Sequence, residues 1–325
     1  MLEHGGNLAL ASVQYSIPLE NWLDLSTGIN PTGYPIADIP LSVWQRLPID
    51  NDGLVDAACA YYGCRFALAT AGSQAALQVL PQLRAASKIA MPTLMYQEHA
   101  NAWLRYGHEV IKFDSYPDEH TIRSADVVLV CNPNNPTATQ FSVTELLSWH
   151  AQLAKRGGWL IVDEAFIDAT PEHSIAQHAH LADLFVLRSL GKFFGLAGAR
   201  VGFLLGAKEA LVCVQEEIGP WSITGPSRLI AKQALMDNAW QKNTRLQLPD
   251  SSQRLAGLLS QYGLAPLAGT ALFQFTPTKQ AEIWQQHLAK HGIWVRLFAE
   301  VSALRFGLPP EDGWARLNNA LKSFS

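Results

Sequence analysis

The sequence has few charged residues, few cysteines and no long apolar run. Charged residues make up 16% of the 325 residues, and the formal net charge is −4 without any block of Lys or Arg. A nucleic-acid partner therefore has little support. The four cysteines form no CxxC pair and no zinc spacing, so they fit reduced thiols in a cytoplasmic protein better than a disulfide framework.

Membrane and metal-binding classes are also disfavoured. No run of about 18 uncharged apolar residues is present, so we expect no membrane span. The start, "MLEHGGNLALASV", contains an early Glu and lacks the apolar core of a signal peptide. His173, His178 and His180 have no further ligand at a useful spacing, so we expect no metal site. Hydrophobic residues make up 48% of the chain, which predicts a large core.

Short apolar runs alternate with helical patterns in the first two thirds of the chain. Near-continuous apolar strands with helices between them predict an α/β fold, in which a mostly parallel seven-stranded sheet is covered by helices on both faces. The strand candidates are "FALAT" (66–70), "KIAM" (88–91), "EVIKF" (109–113), "DVVLVC" (126–131), "WLIVD" (159–163), "LFVLRS" (184–189) and "VGFLL" (201–205).

Two helices are well marked. Residues 73–84 carry leucines at helical spacing, although Pro81 is expected to kink the helix or end it early. The second helix opens with Ser142 and Glu145, which match a capping box.

The C-terminal part has another order of elements. Residues 278–292 predict a helix, and a strand pair and a last helix follow, which indicates a second, smaller α/β unit. The Pro- and Gly-rich stretch "GPWSITGPS" marks the expected boundary. We therefore predict an N-terminal arm that packs with the small domain and the active site, a large cofactor-binding domain and a small C-terminal domain, at residues 1–40, 41–225 and 226–325.

Lys192 lies in a glycine-rich apolar loop, "SLGKFFGLAGAR", directly after a strand candidate. Burying a charged lysine costs several kcal/mol. One interpretation is a lysine whose stem is buried and whose head reaches water. The other is a neutral lysine that attacks a carbonyl carbon. Ser189 and Arg200, three residues before and eight after it, are both suited to bind a phosphate.

Polar residues also follow other strand candidates. Gly72, Ser73 and Gln74 open a helix after a strand, which fits a phosphate site and also an ordinary helix cap. Asn135 lies in the turn "CNPNNPTA", where it serves the turn itself or aims an amide at a ligand. Asp163 ends a strongly apolar strand and needs a cationic partner, either a protonated ring nitrogen or an Arg.

Pyridoxal 5′-phosphate would satisfy all these groups. It has a phosphate, a phenolic oxygen, a basic ring nitrogen and an aldehyde. Ligands of open parallel sheets bind beyond the carboxyl ends of the strands, where these residues lie. Asp163 would keep the ring nitrogen protonated and Lys192 would bond to the aldehyde, so the sequence predicts a pyridoxal-phosphate enzyme with these two catalytic residues.

These residues resemble the fold-type I, or aspartate aminotransferase-like, pyridoxal-phosphate enzymes over nearly the whole chain. The family pattern S-x-x-K with an Arg eight residues later is matched by Ser189, Lys192 and Arg200. "NNPTA" assigns the cofactor-facing amide to Asn135, and "DEAF" assigns the ring-nitrogen partner to Asp163. The resemblance implies a homodimer of this fold.

Within this family, two stretches of the chain resemble the histidinol-phosphate aminotransferase branch. "PTLMYQEHA" places Tyr96 where that branch stacks a Tyr on the cofactor ring, and "LRFGL" places Arg305 where it binds the substrate carboxylate. Two positions depart from the pattern. Phe166 replaces a Tyr that bonds the phenolic oxygen, and Leu47 replaces a Tyr that reaches the neighbouring subunit's cofactor phosphate.

A narrower resemblance is carried by "EHGGN", "LDLSTGINPTGYP" and "GPWSITGPS", which look like the threonine-phosphate decarboxylases of cobalamin biosynthesis. It implies decarboxylation of L-threonine O-3-phosphate to (R)-1-amino-2-propanol O-2-phosphate. The implied substrate-binding residues are His4, Asn7, Asn30, Arg296 and Arg305. The open alternatives are a flexible terminus for His4 and Asn7 and an exposed hairpin charge for Arg296.

Two other functions compete with this one. A histidinol-phosphate or related class I/II aminotransferase would use the same cofactor residues but break the Cα–H bond instead of the bond to the carboxylate. A non-catalytic pyridoxal-phosphate-binding regulator would usually carry a helix-turn-helix domain, for which the chain has no room before residue 65.

Overall fold

The computed structural model describes residues 4–324, which form two compact units. The larger unit comprises residues 34–135 and 139–242, and the described residues of the smaller one are 4–33, 136–138 and 243–324. Compactness alone does not define a folding domain. The domain boundaries given above therefore remain predictions.

Twelve α-helices occur in the described residues. In chain order they are α1 (Leu8–Tyr15), α2 (Leu41–Gln45), α3 (Leu54–Tyr62), α4 (Ser73–Val79), α5 (Glu98–Arg105), α6 (Glu119–Ser124), α7 (Val143–Ala154), α8 (Lys208–Ile218), α9 (Gly225–Met236), α10 (Asn238–Gln261), α11 (Ala281–Lys290) and α12 (Gly313–Lys322). No helix among the described residues has both the length and the apolar character needed to cross a bilayer.

Thirteen strands occur in the same residues. They are β1 (Leu23–Asp24), β2 (Ala67–Thr70), β3 (Lys88–Pro92), β4 (Glu109–Phe113), β5 (Val127–Cys131), β6 (Trp159–Asp163), β7 (Leu184–Ser189), β8 (Gly202–Leu205), β9 (Ala268–Thr270), β10 (Phe273–Pro277), β11 (Ile293–Trp294), β12 (Arg296–Phe298) and β13 (Ala303–Gly307).

The larger unit is built on a seven-stranded sheet in the order β2-β8-β7-β6-β5-β3-β4. Strands β3 to β7 pair in parallel, whereas β8 is antiparallel to both of its neighbours, β2 and β7. All five residues of β5 are buried, as expected for a central strand covered on both faces. The predicted α/β fold with a mostly parallel sheet is confirmed.

The antiparallel placement of β8 agrees with the kind of connection that joins it to β7. A parallel neighbour is usually reached through a crossover helix that covers a face of the sheet. Residues 190–201 join β7 to β8 without an α-helix, as a loop with a single 3₁₀ turn at Ala197–Ala199. This loop carries Lys192.

The two well-marked helices are confirmed. Helix α4 ends at Val79, and a 3₁₀ turn at Leu80–Leu83 contains Pro81, which cannot supply the backbone N–H that an α-helix requires there. Helix α7 begins after Ser142, and both hydrogen bonds of the capping box with Glu145 are present.

The smaller unit contains an antiparallel sheet in the order β12-β13-β10-β9 and a parallel pair of β1 with β11. The strand pair predicted near the C-terminus is present as β12 and β13, with Arg296 directly opposite Arg305. These two cations are therefore neighbours across one ladder.

A buried ionic cluster holds the ends of β6 and β7 together. Arg188 of β7 donates to Glu164 at 2.8 Å and to Asp168, and all three side chains are at most 2% exposed. Glu164 also accepts from the Ser174 hydroxyl at 2.5 Å and from the Ile175 N–H at 2.8 Å. Burial is the main influence on Glu164 and raises its pKa, while Arg188 opposes that shift.

Replacing Arg188 with Met is expected to lower the free energy of unfolding by about 3–5 kcal/mol, because two buried carboxylates lose their shared cation. Urea unfolding of the apoprotein would measure the change. Arg123→Met is the matched control. Arg123 pairs with Glu119 on an exposed helix face, so its loss should cost no more than about 0.5 kcal/mol. Equal losses in both variants would contradict the role of the buried cluster.

Candidate active site

One pocket in the larger unit collects the polar residues at the strand ends. Strands β5, β6 and β7 run in parallel, so their carboxyl ends meet at the same edge of the sheet. Eight of the nine predicted cofactor-binding residues line this pocket, and the ninth, Gly72, lies against one of them. The lining residues are Ser73, Gln74, Tyr96, Cys131, Asn135, Asp163, Ala165, Phe166, Ser189, Lys192 and Arg200.

One end of the pocket has the groups expected to bind a phosphate. Gly72 has φ +70°, and a Cβ atom on it would lie 2.5 Å from Nη2 of Arg200. Gly202 on β8 permits the Gly72–Ser73 turn to approach, because a Cβ there would lie 2.3 Å from the Ser73 nitrogen. The guanidinium thus packs directly on the turn that precedes Ser73, and a side chain at residue 72 would fill the space that a phosphate needs.

The pocket wall also contains a buried carboxylate. Asp163 is 6% exposed and accepts from the Ala165 N–H at 3.0 Å. Its second oxygen lies 2.9 Å from Nε2 of His99, which is 1% exposed. Because an ionised carboxylate only accepts hydrogen bonds, His99 donates through Nε2. This pair orients the carboxylate that is predicted to face the ring nitrogen.

His99 is a residue that sequence reasoning missed. It lies one helical turn after Tyr96, on α5, and that spacing in "YQEHA" is the only signal in the sequence. Nothing in the sequence indicates that its partner is Asp163, which lies 64 residues further along the chain.

Tyr96 and Phe166 form the aromatic part of the pocket. The Tyr96 hydroxyl donates to Gln74 at 3.2 Å. Burial, helped by the charges of Glu98 and Asp163, raises the pKa of Tyr96 to about 12, so the phenol stays protonated. Nζ of Lys192 lies 5.2 Å from the centre of the Phe166 ring, which supplies no hydrogen-bonding group where the family often has a Tyr.

Three potential metal ligands lie close together at the wall of this pocket, although no metal site was predicted. Ligand atoms of His99, Cys131 and Asp163 lie within 4.8 Å of one another. Burial raises the pKa of the Cys131 thiol well above its usual value, and the charge of Asp163 adds to this. A protonated thiol is a poor ligand, and the other two residues already bond to each other.

The pocket residues fit pyridoxal phosphate. Hydroxyl, amide and guanidinium groups surround the space beside Gly72, a histidine-bound carboxylate lies in the pocket wall, and Lys192 supplies an amine. A cofactor with a phosphate, a basic ring nitrogen and an aldehyde matches this set of groups. The individual roles of the residues remain predictions.

The predicted substrate-binding residues belong to the smaller unit, where Ser26 connects the glycine pair of "HGGN" with Arg305. The Gly6 N–H donates to the Ser26 hydroxyl at 2.7 Å, and Ser26 donates in turn to Asp24 at 2.6 Å. Arg305 donates to the Ser26 carbonyl. A Cβ on Gly5 would lie 2.4 Å from that same carbonyl oxygen, so "HGGN" requires glycine there to pack against this segment.

Arg305 has an unfavourable environment for its positive charge. Burial, then the charge of Arg296, lowers the pKa of Arg305 to about 10, and Asp24 opposes this. Arg305 is 5% exposed and Arg296 is half-buried. An anion that meets this pair would relieve the repulsion between them.

The other predicted substrate residues have local roles as well. Asn7 caps α1 by accepting from the Leu10 N–H at 3.4 Å, and Asn30 accepts from the Thr32 N–H at 3.0 Å. His4 is exposed. These contacts neither require nor oppose a role in substrate binding.

Gly72→Ala is expected to weaken cofactor binding by at least about tenfold, because the added methyl group displaces a charge-assisted phosphate ligand worth about 1.5–3 kcal/mol. Titration of the apoprotein with pyridoxal phosphate, followed by visible absorbance, would measure this. Gly157→Ala is the matched control. Gly157 has φ +67° but open space around its Cβ position, so it carries the same backbone strain without the clash. Equal affinity in the two variants would contradict the assignment.

Comparison with known proteins places the fold and the site in a family. Residues 47–323 match the family described as Aminotransferase class I and II. A threonine-phosphate decarboxylase from Pseudomonas aeruginosa is 48% identical over 325 residues, covering 100% of this chain and 98% of that protein. A second one, from a Sinorhizobium species, is 37% identical over 332 residues, covering 98% of this chain and 97% of that protein.

A solved structure agrees with the fold. The histidinol-phosphate aminotransferase from Clostridium acetobutylicum has a TM-score of 0.82 and covers 92% of this chain and 98% of its own, at 23% identity. That likeness shows a shared fold. The full-length relatives confirm the resemblance to threonine-phosphate decarboxylases that was inferred from the sequence motifs. The chain belongs to the aminotransferase class I and II family, in the branch that contains the threonine-phosphate decarboxylases.

Proposed function

We propose that this protein is a pyridoxal-phosphate enzyme that decarboxylates L-threonine O-3-phosphate to (R)-1-amino-2-propanol O-2-phosphate in cobalamin biosynthesis. The observation that best supports this substrate is the pair of neighbouring arginines, Arg296 and Arg305. In the same unit, Ser26 joins Arg305 to the "HGGN" loop. Two arginines suit a substrate with two anionic groups, a carboxylate and a phosphate. The full-length threonine-phosphate decarboxylase relatives support this reading.

The cofactor would be held by groups that the pocket already contains. Ser73, Gln74, Ser189 and Arg200 bind the phosphate, Tyr96 stacks on the ring and Asn135 donates to the phenolic oxygen. Bound pyridoxal phosphate supplies an electron-withdrawing ring that accepts the electron pair of the broken bond. Lys192, the one amine among the described residues of the pocket wall, binds the aldehyde and afterwards carries a proton to or from Cα.

Asp163 sets the electrostatics of the reaction. An ionised carboxylate beside the ring nitrogen keeps that nitrogen protonated, and the His99 hydrogen bond keeps the carboxylate in place. Arg305 binds the α-carboxylate, and Arg296 binds the substrate phosphate. Together these two contacts fix the orientation of the substrate, and the orientation determines which bond is broken.

We also propose a homodimer and a cytoplasmic location. Four large apolar side chains on and after α2 are 63–68% exposed: Leu41, Trp44, Leu47 and Ile49. Exposed apolar side chains grouped in this way favour a protein interface. A second copy of this chain is the partner that the family resemblance implies. Leu47 would then contribute packing where related enzymes use a Tyr hydroxyl. The cytoplasmic location rests on the reduced-thiol pattern of the sequence.

The holoenzyme incubated with L-threonine O-3-phosphate should release CO₂ in proportion to substrate, with keto acid formed only as a rare side product. Released CO₂ and keto acid would be measured in the same sample. Lys192→Ala should lose nearly all turnover, and borohydride should no longer fix the cofactor to the protein. Turnover of histidinol phosphate with 2-oxoglutarate, without CO₂ from threonine phosphate, would make the protein an aminotransferase instead.

Threonine is expected to react at least about 10³-fold less well than its phosphate in kcat/KM, because charge-assisted bonds to the phosphate are lost and their donors stay unpaired. Arg296→Ala should remove most of that preference by slowing the phosphorylated substrate only. Arg305→Ala should impair both substrates, since both have the α-carboxylate. Steady-state kinetics of the three proteins with both substrates would test this, and an unchanged preference in Arg296→Ala would reject its role.

A further inference from the structure

Two cysteines lie near the C-terminal end of α3, and the proposed mechanism uses neither of them. Helix α3 ends at Tyr62, and Gly63 follows with φ 66° in the left-handed region. The Cys64 N–H then donates to the Cys59 carbonyl at 3.1 Å. In a six-residue helix end of this kind, the side chains of the first and last residues commonly lie on the same side. Both of these side chains are thiols, and each influences the pKa of the other.

The backbone permits a covalent bond between the two sulfur atoms. With standard backbone dimensions, the 3.1 Å hydrogen bond limits the two Cα atoms to a separation of about 7 Å at most. Disulfides span Cα separations of about 4.4–6.8 Å. The backbone hydrogen bond therefore holds the two residues within this reach.

The two thiols differ in reactivity. Cys59 is half-buried, and the hydrogen bond from Cys64 lowers its pKa, against burial and the charge of Asp56. Cys64 is buried, and its pKa is raised by its hydrogen bond to Cys59 and by burial. The accessible sulfur is therefore the better nucleophile, and the buried sulfur is placed to react with it afterwards.

We propose that Cys59 and Cys64 are an oxidisable thiol pair that reacts with low-molecular-weight disulfides such as oxidised glutathione, and that its disulfide alters the loop of Lys192. The Cys59 thiolate attacks one sulfur of the external disulfide and releases one thiolate. Cys64 then loses its proton to solvent, attacks the Cys59 sulfur and releases the second thiolate. Two protein thiols are oxidised while one external disulfide is reduced to two thiols.

The pair is linked to the active-site loop by two tyrosines that lie between the cysteines. The Tyr61 ring centre is 5.5 Å from that of Phe194, which lies two residues after Lys192. The Tyr62 ring centre is 4.2 Å from the guanidinium carbon of Arg188, which precedes Ser189.

Forming the disulfide must change this region. The two sulfur atoms have to approach to about 2.05 Å, which tightens the last turn of α3. Because cores are close-packed, the tyrosine rings on that turn pass the shift on to their neighbours. The resulting shift reaches residues next to Lys192 and Ser189. We expect it whichever amino acid is the substrate, and for a decarboxylase and an aminotransferase alike.

The test treats the holoenzyme with oxidised glutathione and maps the cysteines by mass spectrometry. Trypsin releases both cysteines in one peptide, residues 47–65, because no Lys or Arg lies between Arg46 and Arg65. Oxidation should lower the mass of this peptide by two hydrogen atoms. It should also change the visible cofactor band and reduce kcat by at least about threefold, with recovery on adding dithiothreitol, since small displacements near reacting groups have large kinetic effects.

Single variants separate the steps. Cys64→Ser should stop at the mixed disulfide and accumulate one glutathione on Cys59, whereas Cys59→Ser should acquire neither glutathione nor a disulfide in this peptide. Cys213→Ser, at an exposed position outside the pair, should behave like the parent protein. The proposal is overturned if the parent peptide stays reduced while Cys213 becomes modified, or if the disulfide forms and both kcat and the cofactor band stay unchanged.

Discussion

The structure depends on how two consecutive buried carboxylates at the end of β6 are neutralised. Asp163 and Glu164 are both at most 6% exposed, and an unpaired charge in such a place would be costly. Successive side chains along a strand point to opposite sides. Glu164 therefore meets Arg188 on one side, while Asp163 meets His99 on the other and faces the pocket. One carboxylate fixes the scaffold, and its neighbour remains available for a ligand.

This arrangement explains why the strand ends can hold a precise site. Arg188 lies next to Ser189 on β7, as Glu164 lies next to Asp163 on β6, so a single ion pair fixes the backbone that presents both pocket residues. The loop from β7 to β8 carries Lys192 and returns antiparallel, which keeps it beside the pocket. A conventional helical crossover at this point would have carried the lysine to a face of the sheet.

Much of the fold was predictable because it is written in local patterns. The predicted strands at β4, β6 and β7 coincide with the structure to the residue. For β6 and β7 the reason is that buried parallel strands leave a continuous apolar signal. The 24-residue helix α10 was not predicted, because it contains Pro249 and has weak apolar periodicity. The antiparallel direction of β8 was not predicted either. Strand direction depends on the connection between the strands, and the composition of a strand does not reveal it.

The site was predictable in its residues but not in their partners. Lys192, Ser189 and Arg200 stand at a recognisable spacing, whereas the hydrogen bond of His99 to Asp163 joins α5 to β6 and leaves no trace in either segment. The same holds for Arg188. Nothing in the sequence of its strand indicates that it pairs with the carboxylates of Glu164 and Asp168.

In the smaller unit, the adjacent arginines are another feature that the sequence alone does not reveal. A motif suggested Arg305 and Arg296 as separate ligands, but only the strand register shows that each lies against the other. Their mutual repulsion disfavours the charged state of Arg305, which burial already disfavours. An anion bound by both arginines would relieve this repulsion, and this is the physical basis of the proposed preference for a substrate with two anionic groups.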